Sequence, residues 1–316
     1  MNIPKVTVLV TVKNSAKTIK KCIDSFLKLD YPKYDILVVD AFSNDGTYEI
    51  LKSFGKKIKL YQVKGWAPVA FNWAIKRISS EFTAFTDGDC IVDKHWLEEL
   101  VKGFGSSDII AVAGYYGTWK SKGIQRMIGI EMEDRFKNPP KFILKAPTAN
   151  FCVRTKIFKK VKFDEKLKVA YEADYDYKIL KFGKIAYNSK AIVYHYHRAD
   201  WKSYFNQQRL QSTYFFTVMM RHKQSIKGDY ITQKNLLAQI GMFCFGISML
   251  FFFPLVSLFL FSCIFGIFLV RIKELRLNRK DAFTMLGMFT VRLVACSIGL
   301  INGILLYLIN LRVDKK

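Results

Sequence analysis

Long stretches of this sequence lack charge, and that absence is the first guide to its organisation. No charged residue occurs between Leu236 and Val270, whereas the preceding residues mix apolar and charged side chains. A helix of roughly 35 residues would extend about 52 Å, against a bilayer core of about 30 Å. One upright helix cannot use that length. We therefore expect two membrane crossings with a break at Pro254, because proline interrupts the helical hydrogen-bond ladder.

A second apolar stretch runs from Ala282 to Leu311, and only Arg292 brings charge into it. We expect a third span here, within a membrane region that covers residues 235–316. The predicted spans lie near 236–253, 255–270 and 288–310. The basic segment 271–280 is placed in the cytoplasm by the positive-inside rule. Three crossings would leave the basic tail outside, so two or four crossings stay open.

Acidic residues are scarce, and the cysteines lack any metal-binding or disulfide pattern. The chain has 50 Lys and Arg against 26 Asp and Glu, a net charge of +24. Beside apolar spans, an anionic membrane surface explains this surplus better than nucleic acid, so we expect membrane lipids as partners and no nucleic acid. The six cysteines show no C-x-x-C spacing, which argues against a disulfide framework or a zinc site. No apolar leader precedes the strand-like sequence at Val6, so we expect no secretory signal.

Residues 201–234, directly before the first apolar run, mix basic and aromatic side chains such as Trp201, Tyr204 and Arg209. This mixture is typical of an interfacial helix that lies on lipid headgroups. The alternative is a basic face packed on the soluble domain.

Residues 1–200 have the pattern of a soluble α/β domain. Helical patterns alternate with apolar, strand-like runs, which are Val6–Val12, Asp35–Asp40, Lys57–Val63 and Glu81–Thr86. This alternation predicts a doubly wound parallel sheet, in which ligands bind at the carboxyl ends of the strands. Polar residues follow three of these strands: Asn14, Asp40, and the pair Asp87 and Asp89. Asn14 and Ser15 also predict the N-cap of the first helix.

Asp87 and Asp89 flank Gly88 at the end of the fourth predicted strand. Residues i and i+2 of an extended chain point to the same side, so both carboxylates can face one hard divalent cation that also binds phosphates. Taken alone, the triplet is better explained by a turn with Gly88 at positive φ. Its convergence with Asn14 and Asp40 on one rim favours a site for a divalent cation, Mg²⁺ or Mn²⁺, and a phosphorylated substrate.

Five ordered segments resemble the family 2 glycosyltransferases, which have the GT-A nucleotide-sugar fold. They are 6–14, "ILVVDAFSNDGT" (36–47), "GWAPVAFNWAI" (65–75), "FTAFTDGDCIVDKHWLEEL" (82–100) and "FDEKLKVAYEADYDYKILKFGKIAYNSKAIVYHYH" (163–197). The resemblance implies a GT-A-type doubly wound, mostly parallel sheet, followed here by a C-terminal transmembrane helical region. It also implies inverting transfer of a sugar from a nucleoside diphosphate sugar, with a divalent cation.

The resemblance implies a role for individual residues of this chain. The metal would be bound by Asp89, with Asp87 and His195 as further candidates. The general base would be Asp174, with Glu172 as its neighbour. The donor would be bound by Asn14, Asp40, Asn72, Asp87 and Arg209. Asn72 has a structural alternative, a buried amide that holds a loop.

The chain departs from the family pattern at several positions. Ala173 stands where Glu is common, Ala41 where a second Asp is common, and Phe71 where Arg is frequent. These changes leave the sugar and the nucleobase of the donor undetermined. Leu210 follows Arg209, so the Arg-Trp pair of processive synthases is absent.

The sequence thus predicts an integral membrane enzyme whose catalytic domain faces the cytoplasm. Its acceptor would be lipid-linked, either a polyprenyl phosphate or a lipid-linked saccharide. Two alternatives stay open: a polysaccharide synthase that secretes its product, and a non-enzymatic membrane adaptor on a degenerate transferase fold. A homo-oligomer is compatible with the sequence but not required by it.

Overall fold

The computed structural model describes residues 3–119, 121–227 and 235–313. The strands are β1 Val6–Val12, β2 Tyr34–Asp40, β3 Lys59–Gln62, β4 Phe82–Asp87, β5 Cys90–Val92, β6 Ile109–Thr118, β7 Phe142–Ile143, β8 Phe151–Arg154 and β9 Lys184–His195. The α-helices are α1 Ile19–Phe26, α2 Thr47–Lys52, α3 Ala67–Ala74, α4 Trp96–Lys102, α5 Gly123–Lys137, α6 Thr155–Lys160, α7 Tyr171–Ile179, α8 Trp201–Arg221, α9 Leu236–Met249, α10 Pro254–Glu274 and α11 Arg279–Val313.

The strands form one mixed sheet in the order β3-β2-β1-β4-β8-β6-β9-β5, with β7 paired to β9. The longer pairings, β1 with β2, β1 with β4 and β6 with β9, are parallel. β8 runs antiparallel between β4 and β6. Strands β1, β2 and β4 are almost completely buried at their centres, which explains their largely apolar sequence, whereas β3 at the sheet edge is mostly exposed. The predicted mostly parallel sheet is confirmed.

The start of the first helix differs from the prediction. α1 begins at Ile19, and Thr18 precedes it without a side-chain cap, so the proposed capping by Asn14 and Ser15 is wrong. Asn14 has a left-handed backbone with φ of 53°, and its side-chain oxygen accepts a hydrogen bond from Asn44 N at 3.0 Å. The Asn14 side chain therefore links the turn after β1 to the turn after β2. The local sequence alone cannot distinguish this role from a helix cap.

The pairing of β6 with β9 shifts register at Gly114 and Tyr115. A Cβ on Gly114 would lie 2.0 Å from Ala191 O, so only glycine allows this close approach. Beyond the shift, Tyr116 pairs with Val193 and Thr118 with His195. The register shift therefore sets the direction of the end of β9, which carries His195.

The chain divides into two compact units, one of residues 1–119 and 135–196 and one of residues 120–134 and 197–316. The sheet belongs to the first unit. The second contains most of α5 together with α8 to α11, and the sequence did not predict that α5 would join it. Within this unit α8 lies along α11, where a Cβ on Gly299 would lie 2.3 Å from Arg209 O and one on Gly303 2.5 Å from Thr213 O.

Two helices of the second unit are long and apolar enough to cross a membrane, Pro254–Glu274 and Arg279–Ile309. The predicted break at Pro254 is present, since α10 begins there. Among the described residues only these two helices reach the length of a span, because α9 has 14 residues and extends about 21 Å, and the number of crossings stays a prediction. α11 is one continuous helix of 35 residues through Arg292. Residues 228–234 of the basic aromatic segment lie outside the described residues.

Candidate active site

The carboxyl ends of three neighbouring strands meet at one edge of the sheet. β1 lies between β2 and β4, with Val12 opposite Asp40 and Thr11 opposite Asp87. Asn14 follows β1 directly, and Asp89 follows β4 after Gly88. The predicted convergence of these polar residues on one rim is therefore present in the backbone.

Gly88 is needed at this rim for a reason that the sequence did not suggest. Gly88 is not among the described residues with positive φ, so the interpretation as a left-handed turn is wrong. A Cβ on Gly88 would instead lie 2.7 Å from Val12 Cγ1. The Gly88 carbonyl also accepts a hydrogen bond from Thr18 Oγ1 at 2.9 Å. Close packing against β1 and α1 thus holds Asp87 and Asp89 in place.

Asp40 is completely buried and organises the turn after β2. Its carboxylate accepts hydrogen bonds from Gln62 Nε2 at 2.9 Å and from the backbone and hydroxyl of Ser43. Ser43 Oγ in turn accepts from Asn14 N at 2.9 Å. Asp40 and Asn14 therefore belong to one hydrogen-bonded turn at the rim, and a contact of either with a nucleotide stays a prediction.

Asp89 and His195 meet although 106 residues separate them in the sequence. β5 pairs antiparallel with β9, which places Cys90 opposite His195, and His195 Nε2 lies 3.3 Å from Asp89 Oδ1. His195 also stacks on Tyr116, with ring centroids 5.1 Å apart. Donor atoms of Asp89, Cys90 and His195 lie within 4.8 Å of one another. This cluster is a candidate metal centre.

The chemistry of the donor atoms decides which of these residues suits a hard cation. Mg²⁺ and Mn²⁺ prefer oxygen and accept imidazole nitrogen, whereas thiolate favours softer ions. Cys90 is completely buried, and its Sγ lies 3.9 Å from Asp89 Oδ1 as a hydrogen-bond donor. The residues that fit a divalent cation at a diphosphate are thus Asp89 and His195, with Asp87 two residues away on the same edge.

Tyr116 connects the cluster to the acceptor-side helix α7. Burial raises the pKa of its phenol well above the ordinary value, and the negative charges of Cys90, Asp87, Asp89 and Glu172 raise it further. The stacking of Tyr116 on His195 and the contact of His195 with Asp89 place the Tyr116 ring at the cluster. Tyr171, the first residue of α7, is likewise affected by Glu172 and Asp87.

α7 presents its carboxylates in different directions. Successive helical residues turn by about 100°, so side chains two residues apart point to nearly opposite faces. Asp174 is completely buried and forms an ion pair with Lys178 at 2.5 Å. Asp176 is also buried and accepts a hydrogen bond from Ala146 N at 2.7 Å. Glu172 is partly buried, accepts a hydrogen bond from Tyr171, and lies near Lys145.

The environment of Glu172 favours its neutral form. Burial raises the pKa of this carboxyl, although the Tyr171 hydroxyl and the positive charge of Lys145 lower it in part. A carboxylate with a raised pKa in a partly open position suits a general base better than one held by an ion pair in the core. The assignment of the base to Asp174 or Glu172 stays a prediction.

Two residues of the third predicted segment belong to the core. Asn72 is buried, donates to Phe163 O and Glu165 Oε1 at 2.9 Å, and accepts from Phe163 N. This is the loop-holding role that the sequence left as an alternative to donor binding. Phe71, in place of the frequent Arg, is 1% exposed and packs edge-on against Phe85. Arg209 lies on α8 in the second unit, and its predicted donor contact stays a prediction.

Sequence reasoning missed Cys90, Tyr116 and Tyr171 as members of the site. Cys90 adjoins Asp89, so the sequence offered a signal for it. Tyr116 and Tyr171 carry no motif, and only the pairing of β6 with β9 and the packing of α7 bring them to the cluster.

Comparison with known proteins identifies the class of protein that has this fold. Residues 7–167, just over half of the chain, match the family described as "Glycosyl transferase family 2". The chain belongs to this family. It is 34% identical over 119 residues to glycosyltransferase AglE of Haloferax volcanii, a match that covers 35% of this chain and 39% of that protein.

Other relatives extend the similarity. An uncharacterised glycosyltransferase of Rickettsia typhi, RT0329, is 24% identical over 202 residues, covering 60% of this chain and 63% of the relative. The chain thus spans less than two thirds of the length of these curated relatives. Among solved structures, mannosyltransferase PcManGT of Pyrobaculum calidifontis, in complex with GDP-Man and Mn²⁺, has the same fold with a TM-score of 0.60 and 16% identity. That similarity covers 94% of this chain and 87% of the other.

Proposed function

We propose that the chain transfers a sugar from a nucleoside diphosphate sugar, with inversion, and that a divalent cation is bound by Asp89 and His195. The observation that carries this is the meeting of a carboxylate and an imidazole at the rim where β4 ends. Membership of the family supports the reaction class. The mannosyltransferase with the same fold was solved with GDP-Man and Mn²⁺, which supports this choice of donor and cation.

In this proposal, different residues of the chain bind the cation and accept the proton. When bound, the cation would offset the negative charge that grows on the diphosphate leaving group. Asp89 and His195 would hold it, and Asp87 would contribute a second carboxylate from the strand end. Glu172 takes the proton of the acceptor hydroxyl, and Tyr171 orients its carboxylate. Asp174 is paired with Lys178 one turn further along α7 and takes no part in the proton transfer of this proposal.

The experiment is a donor screen that measures release of nucleoside diphosphate from a panel of UDP- and GDP-sugars, with and without Mg²⁺ or Mn²⁺. Asp89→Ala and His195→Ala should remove the metal-dependent rate. The matched controls are Asp24→Ala and His95→Ala, because these side chains are 38% and 44% exposed and take no part in the cluster. Metal-dependent release by Asp89→Ala at the parental rate would refute the site.

The acceptor in this proposal is lipid-linked, and the transferase unit works at the cytoplasmic face of the membrane. The long apolar helices α10 and α11 support a membrane location, since their large side chains are exposed over much of their length. Radiolabel from the donor should then move into butanol-extractable lipid when membranes supply the acceptor. Release of nucleoside diphosphate without any label in lipid, over several donors and acceptors, would reject the lipid acceptor and leave the metal site standing.

A further inference from the structure

The turn between α9 and α10 carries no polar side chain. It joins Met249 to Pro254 through Leu250 and three phenylalanines, which are 90%, 77% and 59% exposed at Phe251, Phe252 and Phe253. A hairpin that crossed the membrane twice would hold this turn in water on the far face. Such a cluster of exposed aromatic rings is unfavourable in water and favourable in lipid.

The apolar part of each arm of the hairpin is shorter than a bilayer core. α9 has 14 residues and extends about 21 Å at 1.5 Å per residue. α10 has 21 residues, but charge begins at Arg271, which leaves an apolar part of about 17 residues and roughly 26 Å. The hydrocarbon core is about 30 Å thick, so a hairpin anchored at one face ends before the other.

The two arms are held at the same depth by direct packing. Ser257, completely buried, donates from Oγ to Gly246 O at 2.8 Å. A Cβ on Gly246 would lie 2.8 Å from the ring of Phe261, so glycine permits the close approach of the helices. The turn therefore cannot move outward on one arm alone.

Several backbone N–H groups of the turn are hydrogen-bonded, as a segment surrounded by lipid requires. An unpaired N–H group in hydrocarbon costs several kcal/mol, roughly as much as a lost buried hydrogen bond. Here Leu250 N donates to Ile247 O at 3.3 Å, and Phe252 N and Phe253 N donate to Met249 O at 3.2 and 2.7 Å. Pro254 has no N–H to satisfy.

The open end of the hairpin has the opposite character. Basic residues follow the apolar part of α10 and continue to the start of α11, at Arg271, Lys273, Arg276, Arg279 and Lys280. Such a cluster matches anionic lipid headgroups. We propose that α9 and α10 form a re-entrant membrane hairpin, which enters and leaves the lipid at the face of these basic residues and holds Phe251–Phe253 among the acyl chains.

Cysteine accessibility in the full chain tests this proposal. Phe252→Cys and Phe251→Cys are compared with Lys273→Cys, whose side chain is exposed at the basic end. A membrane-impermeant maleimide is added to intact cells, to inverted vesicles and to detergent-solubilised protein, and labelling is measured above that of the parent chain. A co-expressed exported protein with one free cysteine verifies that the reagent reaches the far face.

The proposal expects the turn cysteines to react only in detergent, with less than about one tenth of that labelling in either membrane preparation. Lys273→Cys should react in one membrane preparation, the one that exposes the basic face. Labelling of the turn from the face opposite to Lys273→Cys would show two full crossings and overturn the proposal. Absence of labelling in detergent, with Lys273→Cys reactive, would show that protein covers the turn, which also overturns it. The second turn variant preserves the test if one variant fails to reach the membrane.

Discussion

The ion pair of Glu131 with Arg292 gives the sharpest prediction for the stability of the helical unit. Arg292 Nη1 lies 2.6 Å from Oε1 and 2.8 Å from Oε2 of Glu131, and both side chains are nearly completely buried, at 6% and 5% exposure. The guanidinium also lies over the ring of Phe289, 4.9 Å from its centroid. Since arginine does not lose its proton, Glu131→Leu leaves a buried charge without its carboxylate.

The magnitude follows from this burial. Removing one partner of a buried pair costs about 3–5 kcal/mol, whereas replacing both by apolar residues is often neutral or stabilising. We therefore expect Glu131→Leu to lower the unfolding midpoint by roughly 6–20 °C, at about 2–4 °C per kcal/mol for a unit of this size. The double variant Glu131→Leu with Arg292→Leu should recover most of that loss, because it removes both charges.

Thermal unfolding in one detergent, followed by tryptophan fluorescence, measures these differences. The matched control is Arg126→Ala on the same helix α5, whose side chain is 51% exposed and pairs with Asp281 at 3.0 Å. Because Arg126 is half exposed, although Asp281 is 13% exposed, this pair should contribute only about 1 kcal/mol. If Glu131→Leu costs no more than the control, or if the double variant is less stable than the single one, the reasoning from burial is wrong.

Three further predictions concern the site and the helix packing. Asp89→Ala should weaken binding of Mn²⁺ by more than about 100-fold in a titration, whereas Asp24→Ala should not change it. Glu172→Gln should lower kcat by about 10²–10⁴-fold with little effect on the donor KM, and the parental rate should fall as the pH falls through the raised pKa of Glu172. Because a raised carboxyl pKa makes stability decline as pH rises through it, Glu172→Gln should unfold at a higher temperature than the parent at pH 8, and an equal or lower midpoint would contradict this. Gly299→Ala should destabilise the α8–α11 contact by roughly 1–3 kcal/mol, whereas Gly266→Ala, with open space around it, should be neutral or stabilising.

The sequence predicts those parts of the fold that depend on local pattern. The strands β1 to β4 follow from apolar runs, and the rim follows from the rule that ligands bind at carboxyl ends. The pairing of β8 between β4 and β6 does not follow, because an antiparallel insertion leaves no periodic signal in a four-residue strand. Likewise, Arg292 is conspicuous in an apolar stretch, but its partner Glu131 lies 161 residues away.

The contrast between local pattern and long-range pairing also explains which roles within the site the sequence left open. Asp87 and Asp89 are equivalent in the sequence, and only the pairing of β5 with β9 places His195 beside Asp89. Glu172 and Asp174 both carry carboxylates, and the sequence alone does not distinguish them. Side chains two residues apart on a helix point in nearly opposite directions, so at most one of the two can face the rim. Complete burial marks Asp174 as the inward one, whereas Glu172 is only partly buried. A kinetic comparison of Glu172→Gln with Asp174→Asn follows directly: loss of kcat in the first and loss of folded protein in the second would agree with these directions, and the reverse would restore Asp174 as the base.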